Sequence, residues 1–345
     1  MDYCCGSPSD CDLVCPLAPQ TFQNRIREIQ GFDLNTIGRV QSLNTPNLPT
    51  VIPLIYHPYR RQRSLHAEAV ALSLYQLYDR RTGLPKYSSR EQLAAAFRLD
   101  ASSTLVLTGT DCDKTIENWW KKADDRLLRN FKLLGIDFVT TPNFSLFTNV
   151  PRWDDLHSIK RIALSWELIM RAGICAAPHI NARNDTDYLN WTRFVVDHPE
   201  ITHIAFEFGT GAGHKGRTNW HLAHLLRFAA DVPRPLSILL RGRSVAPQLT
   251  RAFARVIVIE TDSFTKTIRR QRATPEGDDL RWLPNPTARF EPLDDLLAHN
   301  VATVRAATEA KLAEHLAASP LSSAPAAHGD CKSAETSFLD QARFA

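Results

Sequence analysis

The sequence predicts an α/β protein of the TIM-like (β/α) barrel class, with a parallel sheet and surrounding helices. Short apolar segments of strand length alternate along the chain with longer segments whose apolar residues recur at helical spacing. Such alternation indicates a parallel sheet that is covered by helices. Seven clear strand–helix units and one indistinct unit favour a barrel over an open, doubly wound sheet.

The clearest unit is the stretch GIDFVTTPNFSLFTNVP, residues 135–151. Ile136 to Val139 have the composition of a strand. Pro142 has no N–H to donate to a sheet, so the strand must end before it. A segment with helical spacing begins at Trp153. The unit is therefore strand, polar loop and helix, and in a barrel the loops after the strands carry the chemistry.

The other units are assigned from the same pattern, in chain order. The first strand is predicted at residues 50–56, and a helix at about 64–80 is predicted to follow it. Further strands are predicted at 104–109, 136–140, 174–180, 202–208, 236–241 and 255–260. The helices between them are predicted near residues 116–134, 153–172, 185–197, 218–230, 246–254 and 263–272. The last unit is indistinct: residues 280–284 (LRWLP) are the candidate for an eighth strand, and 292–312 for a closing helix.

Composition divides the chain into three parts. Residues 1–45 form a cysteine-rich N-terminal segment, residues 46–315 the barrel-like domain, and residues 316–345, rich in Ala, Ser and Pro, a tail that is predicted to be disordered. No apolar run reaches the length of a membrane span, and the start MDYCCGSPSD lacks the features of a signal peptide. A cytoplasmic protein without a membrane partner is therefore expected.

The charge balance bears on the partner. The formal net charge is +4, a mild excess that permits an anionic partner without requiring one. No glycine-rich dinucleotide fingerprint follows the first strand, and GTGAGHKGR (residues 209–217) lacks the lysine–hydroxyl pair of a P-loop. An anionic small molecule or a nucleic acid is the expected partner.

Four of the seven cysteines lie in the first fifteen residues: Cys4, Cys5, Cys11 and Cys15. In a reducing compartment such a cluster is more typical of a metal site than of disulfides. A zinc ion or an iron–sulfur cluster is one interpretation. The spacing matches no standard zinc ribbon or ferredoxin pattern, so unliganded thiols are the alternative.

One part of the chain resembles a known family. The sequence TPNFSLFTNVP, with the preceding FKLLGIDFV and the later RIALSWELIMRAGICAAPHI, is similar to a family of phages and bacterial mobile elements that is catalogued as a domain of unknown function. The resemblance covers about residues 105–215. It implies a mobile-element context and supports the strand–loop–helix unit, but it assigns no catalytic residue.

Polar residues follow the predicted strands, at the edge where the carboxyl ends of a parallel sheet meet. Asp111, Glu207 and Asp262 are the catalytic candidates among them. The candidates for substrate binding are His57, Asn143, His179, Asn181, Arg241, Arg243 and Arg269. Arg241 and Arg243 follow an apolar strand, and alternation would aim them the same way, as a fork for phosphate or carboxylate. Arg269 is alternatively part of a solvated helix face.

Three functions remain open at this point. The first is a barrel enzyme that acts on a nucleotide, nucleoside or nucleic acid; in a transglycosylase-like version, Asp111 would hold the base and Asp262 would attack the sugar. The second is a non-catalytic module of a phage or mobile element that binds nucleic acid or protein. The third is a metal-dependent hydrolase that uses His57, Asp111, His179 and Glu207, although the chain has no HxH or HExxH motif at those positions.

Overall fold

Parallel strands form the centre of the structure, a computed structural model that describes residues 19–147, 150–213, 216–277, 279–288 and 290–318. Within these residues the parallel strands are β1 (Val51–Pro53), β2 (Ala69–Ser73), β3 (Thr104–Thr108), β4 (Phe138–Thr140), β5 (Cys175–Ala177), β6 (His203–Glu207), β7 (Ser237–Arg241) and β8 (Arg255–Glu260). The predicted α/β class is confirmed.

The strands pair in two four-stranded parallel sheets. One has the order β2-β3-β4-β5 and the other the order β1-β8-β7-β6. Single parallel bridges join the two sheets on both sides. Leu54, after β1, is bridged to Ala71 of β2, and His179, after β5, is bridged to Ala205 of β6. The backbone N–H of Ala205 donates to the carbonyl oxygen of Pro178 over 2.9 Å.

All seven strands predicted from apolar runs are present, but two predictions about the rest of the sheet are wrong. Residues 64–80 contain β2 and a 3₁₀ helix, Leu74–Gln76, instead of an α-helix. Every residue of β2 is buried, and a strand that is buried on both faces has no polar alternation to reveal it. Residues 280–284 belong to β10 (Asp279–Pro284), which forms an antiparallel hairpin with β9 (Gln271–Glu276).

Helices lie between the strands and pack on them. In chain order they are α1 (Pro19–Ile29), α2 (Arg90–Phe97), α3 (Asp113–Lys122), α4 (Asp125–Leu133), α5 (Arg152–Arg171), α6 (Asp185–Asp197), α7 (Arg217–Asp231), α8 (Ala246–Leu249), α9 (Asp262–Ile268) and α10 (Asp294–Ala317). The single helix predicted at 116–134 is two helices, because Asp124 caps α4 by accepting from the N–H of Leu127 over 2.8 Å.

The strands carry two separate sets of apolar side chains. Alternate strand residues pack only on one another, and this inner set includes Ile52, Leu54, Ala69, Ala71, Val106, Phe138, Cys175, Ala177, Ala205, Leu239, Ile257 and Ile259. The residues between them pack against the helices, where Trp119, Trp166 and Trp191 are fully buried. Side chains that alternate along each strand therefore form two sets, one on the inner face of the sheets and one on the face that packs against the helices.

The N-terminal stretch packs on α5 from the outside. The ring of Phe22 in α1 meets that of Trp153 at 5.7 Å, and Arg25 forms an ion pair of 2.6 Å with Asp154. Residues 1–18 and 319–345, which include the cysteine cluster and most of the predicted tail, lie outside the described residues. None of the described helices is long and apolar enough to cross a membrane.

Candidate functional site

The inner face of the sheets changes from apolar to polar at the carboxyl ends of the strands. Residues two positions apart on a strand point to the same side, so the side chains that follow Ala177, Ala205 and Leu239 of the inner set also point inward. These side chains are His179, Glu207 and Arg241. His179 and Glu207 are buried, with 3% and 5% of their surface exposed. Titratable side chains thus end three neighbouring strands on the same side.

A cleft of about 510 Å³ opens at this edge. Its lining comes from the loops after β3, β4, β5 and β6 and from the start of α7. The polar lining residues are Thr110, Asp111, Asn143, Ser145, His179, Asn181, Arg183, Glu207, Thr210, Arg217 and His221. Five residues predicted from the sequence therefore share one cleft: Asp111, Asn143, His179, Asn181 and Glu207.

Glu207 is the buried carboxyl group of the cleft. Its Oε1 accepts from the backbone N–H of Gly209 over 2.5 Å, and its Oε2 lies 3.1 Å from Nη1 of Arg241. A side chain at position 209 would place its Cβ 2.5 Å from Oε1 and would displace the carboxyl group from this position. Burial raises the pKa of Glu207, and Arg241 and the Gly209 N–H only partly offset that effect. The group is therefore suited to carry a proton at a higher pH than an ordinary glutamate.

His179 is held as a neutral ring. Its Nδ1 lies 2.6 Å from the carbonyl oxygen of Thr141, and because a carbonyl oxygen only accepts, the proton is assigned to Nδ1. Burial, with a smaller effect of the charge of Arg241, lowers the pKa of His179 to about 3, against the opposing effect of the Thr141 hydrogen bond. Nε2 is left as an acceptor, 3.5 Å from the Oγ1 of Thr110.

Thr110 connects the two buried groups. Its hydroxyl lies 3.5 Å from Nε2 of His179, and Thr110 also acts to lower the pKa of Glu207, against the effect of burial. Thr110 was not predictable from the sequence, because a threonine at a strand end carries no distinctive signal. Its hydroxyl can donate to the unprotonated Nε2 of His179.

Arg241 and Arg243 do not continue one alternating strand. Strand β7 ends at Arg241, and Gly242 takes a φ of +129°. A Cβ there would lie 2.6 Å from the Cβ of Phe208, so the position requires glycine. Arg243 begins a 3₁₀ helix, and its charge acts on Asp279 in the hairpin. Alternation therefore does not extend to Arg243, and only Arg241 contacts Glu207.

The remaining candidates lie outside the lining of the cleft. Asp262 begins α9, and its backbone N–H donates to Oε1 of Glu260 over 2.5 Å. The ring of His57 packs edge-on against Phe264 at 4.8 Å, and Arg269 is exposed at the end of α9. Among the described residues, the cleft therefore brings Asp111 and Glu207 together without Asp262.

Glu260 is a second buried carboxyl group, and its surroundings differ from those of Glu207. Burial raises its pKa. Ile257 and Ile259 belong to the inner set of side chains, so alternation places Glu260 on the opposite, helix-facing side. Its Oε1 accepts from the backbone N–H groups that begin α9. Glu260 therefore stabilises a helix start and is separate from the cleft.

Two arginines that line the cleft, Arg183 and Arg217, are held in place by contacts with other residues. Nη1 of Arg183 lies 2.7 Å from Oδ2 of Asp155, and Oδ1 of Asp155 accepts from the N–H of Phe147 over 2.9 Å. Asp155 is only 1% exposed. Arg217 donates to the carbonyl oxygen of Arg183 and stacks on Trp220 at 4.2 Å. They give the cleft a positive lining that suits a phosphate or carboxylate, and Arg241 adds a positive charge beside Glu207, with which it pairs.

The imidazole of His221 should make stability depend on pH. Burial, together with the charges of Arg217 and His224, lowers its pKa to about 3. The unfolded chain, with a histidine pKa of about 6.5, binds more protons below that pH, so the free energy of unfolding falls as the pH drops. Between about pH 7 and pH 5 this group should contribute a loss of about 2 kcal/mol.

The control for this prediction is His221→Phe, which keeps an aromatic ring beside Phe206. The lost acceptor for the hydroxyl of Tyr188, 2.8 Å away, affects both pH values alike and cancels. Urea unfolding of both proteins at the two pH values measures the difference. An equal loss of stability in both proteins would contradict the prediction.

The described residues contain no group of three or more His, Cys, Asp or Glu side chains arranged to hold a metal ion. Two cysteines are described, the exposed Cys112 and the buried Cys175, and both are free. The metal site at Cys4, Cys5, Cys11 and Cys15 lies outside the described residues and stays a prediction.

Comparison with known proteins does not assign a family. Neither the scan against protein-family models nor the search of curated proteins finds a match. The resemblance of residues 105–215 to a mobile-element family thus stays a prediction.

Proposed function

We infer that the eight parallel strands close into a TIM-like (β/α) barrel. Two kinds of contact support this. Single bridges link β1 to β2 and β5 to β6, so that each strand has a neighbour on both sides. The inner side chains of all eight strands also belong to one apolar cluster, as in a filled barrel interior. The cleft would then lie at the edge where barrel enzymes place their chemistry.

We propose that the protein is an enzyme that acts on a nucleotide, a nucleoside or a nucleic acid. The observation that carries this proposal is Glu207, a buried carboxyl group with a raised pKa that shares a cleft with the exposed carboxylate of Asp111. Two carboxyl groups in such different environments are suited to opposite roles, one as an acid and one as an anion. A purely structural barrel has no need for this pair at one edge.

The arrangement suits cleavage or exchange at a glycosidic bond. Glu207 gives its proton to the leaving base as the glycosidic bond breaks, while Asp111 faces the positive charge that develops on the sugar. Water or an incoming second base then forms the new bond to the sugar carbon and gives a proton back to Glu207. The unprotonated Nε2 of His179 lies 3.5 Å from the hydroxyl of Thr110 and orients it. This assignment keeps the transglycosylase-like reaction but replaces Asp262 with residues that line the cleft.

A direct test is turnover of a substrate panel by the full chain. Nucleosides, nucleoside monophosphates and short oligonucleotides are incubated with the protein, with and without a free competing base. Chromatography then measures base release and base exchange. Release or exchange from one class supports the proposal. Binding without turnover of any class would contradict it and favour a non-catalytic module.

Arg241→Ala should weaken binding of the phosphorylated members of the panel. A lost charge-assisted hydrogen bond costs about 1.5–3 kcal/mol, which is about tenfold or more in Kd. Binding of the matching nucleoside, which lacks the phosphate, should change less. Isothermal titration calorimetry measures both affinities.

Arg243→Ala is the matched control, because Arg243 follows shortly after Arg241 but only Arg241 pairs with Glu207 of the cleft. It should leave both affinities unchanged. If the two substitutions weaken phosphate binding equally, or if neither does, Arg241 has no specific role in holding the anion.

A further inference from the structure

Aromatic rings and one guanidinium lie side by side on the surface after β1. Tyr59 is 51% exposed and Phe290 is 80% exposed. The guanidinium carbon of Arg60 lies 5.3 Å from the ring centre of Tyr59 and 5.9 Å from that of Phe290. Arg60 thus joins two exposed rings that come from distant parts of the chain. We call these three residues the Tyr59 surface.

The row of rings continues from the Tyr59 surface into the protein. The ring of His57 meets Tyr59 at 5.9 Å and Phe264 at 4.8 Å, and Phe264 meets Tyr56 at 5.6 Å. The row of rings therefore runs from the exposed Tyr59 surface to the partly buried Tyr56.

The backbone below the Tyr59 surface is firmly anchored. Arg61 is 5% exposed and donates over 2.8 Å to the backbone carbonyl that ends α2. The N–H of Leu293 donates to the carbonyl oxygen of Arg60 over 2.8 Å. The carboxylate of Asp294 accepts from the N–H of Gln62 over 3.0 Å. Arg60 itself has a φ of +53°, a conformation that non-glycine residues adopt only where the surroundings hold it.

Such an anchored surface loses little entropy when a ligand binds. Two further basic side chains lie on α9, the helix that also carries Phe264. Lys266 stands over the ring of Trp282 at 5.6 Å, and Arg269 is exposed at the end of α9. Positive charge next to stacking rings is the combination that binds unpaired nucleotides.

We propose that the Tyr59 surface binds a single-stranded nucleic acid, with bases stacked on Tyr59 and Phe290 and phosphates facing Arg60. A single strand is favoured over a duplex because only unpaired bases offer their faces to aromatic side chains. The inference narrows the substrate class of the proposed enzyme and to that extent rests on it. It can be tested by binding alone, without turnover.

The experiment measures fluorescence anisotropy of a labelled oligothymidylate of about twelve nucleotides, titrated with the full chain at low salt. The unchanged protein should bind it. Tyr59→Ala and Phe290→Ala should each weaken binding by about fivefold to about 150-fold, as expected for one lost base stack. Raising the salt concentration should weaken binding of every variant, because phosphate contacts release counterions. Circular dichroism checks the fold, and the high exposure of Phe290 makes Phe290→Ala safe in that respect.

Matched controls come from α4, where Leu133 is 76% exposed and the side chain of Arg126 is 55% exposed. Leu133→Ala and Arg126→Ala remove the same kinds of group from another face and should leave binding unchanged. A duplex of the same length should bind independently of Tyr59 and Phe290.

The inference is overturned if the unchanged protein does not bind the single strand, or if both aromatic variants bind it as well as the unchanged protein does. Turnover of nucleosides without binding of the strand would support the proposed enzyme and contradict only the nucleic-acid site at the Tyr59 surface. Binding of the strand without turnover of any substrate would support that site and contradict the proposed enzyme.

Discussion

Glu207→Gln should reduce turnover by about 10²–10⁴-fold and leave the fold intact. Glutamine keeps the shape of the side chain and an oxygen that accepts from the N–H of Gly209, 2.5 Å away in the present structure. It carries no acidic proton to donate. Because the change affects the transition state more than the bound substrate, kcat should fall while KM changes little. The pH profile should also lose the limb that reflects the raised pKa of Glu207.

Glu260→Gln is the matched control for this result. Glu260 is a glutamate of similar burial, also at the end of a parallel strand, and burial raises its pKa too. It contacts the first N–H groups of α9 and lies outside the lining of the cleft. Turnover should therefore be retained in Glu260→Gln. Retention of turnover in Glu207→Gln, or equal losses in both variants, would overturn the role of Glu207 as the acid.

Arg152→Met should lower the free energy of unfolding by about 3–5 kcal/mol, because it leaves the buried carboxylate of Asp187 without its cation. Arg152 is 2% exposed and pairs with Asp187 and Asp155, which are each 1% exposed. The same two carboxylates position Arg183 of the cleft lining. Asp155 pairs with its side chain, and Asp187 accepts from its backbone N–H over 2.8 Å. Urea unfolding measures the loss.

Arg305→Ala is the comparison for an exposed pair. Arg305 reaches Glu309 one helical turn away over 2.9 Å, and both side chains are 40% exposed. Exposed pairs of this kind contribute about 0–1 kcal/mol. A loss in Arg152→Met no larger than that in Arg305→Ala would show that Asp155 and Asp187 take up protons or water without cost.

The position of β2 illustrates where reading the sequence fails. The segment AVALS consists of small and apolar residues that are all buried, and neither strand alternation nor a helical stripe can be recognised in it. Strands such as β6 and β8 were predictable because longer runs of β-branched and aromatic residues, ended by polar or glycine residues, allow one interpretation. Strand β2, the one parallel strand of the described residues that was not predicted, was therefore identified only from its pairing with β3.

The candidate site divides in the same way. Asp111, His179 and Glu207 were predictable because chemically distinctive residues at the ends of parallel strands meet at one edge. The choice among Glu207, Glu260 and Asp262 was not predictable from position. Alternation places Glu207 and Glu260 on opposite faces of their strands, but this can be seen only when the strand registers are known. Asp262 lies at the start of α9, and the sequence does not mark that start precisely.

The sequence by itself determined the α/β class, seven of the strands and the edge at which polar side chains gather, because these depend on local periodicity and on residues that end strands. Only the tertiary structure decided which carboxyl group is buried beside an arginine, that a threonine links it to a neutral histidine, and that Tyr59, Arg60 and Phe290 meet. Burial and pKa depend on neighbours from distant segments, and no local pattern in the chain specifies which segments come together.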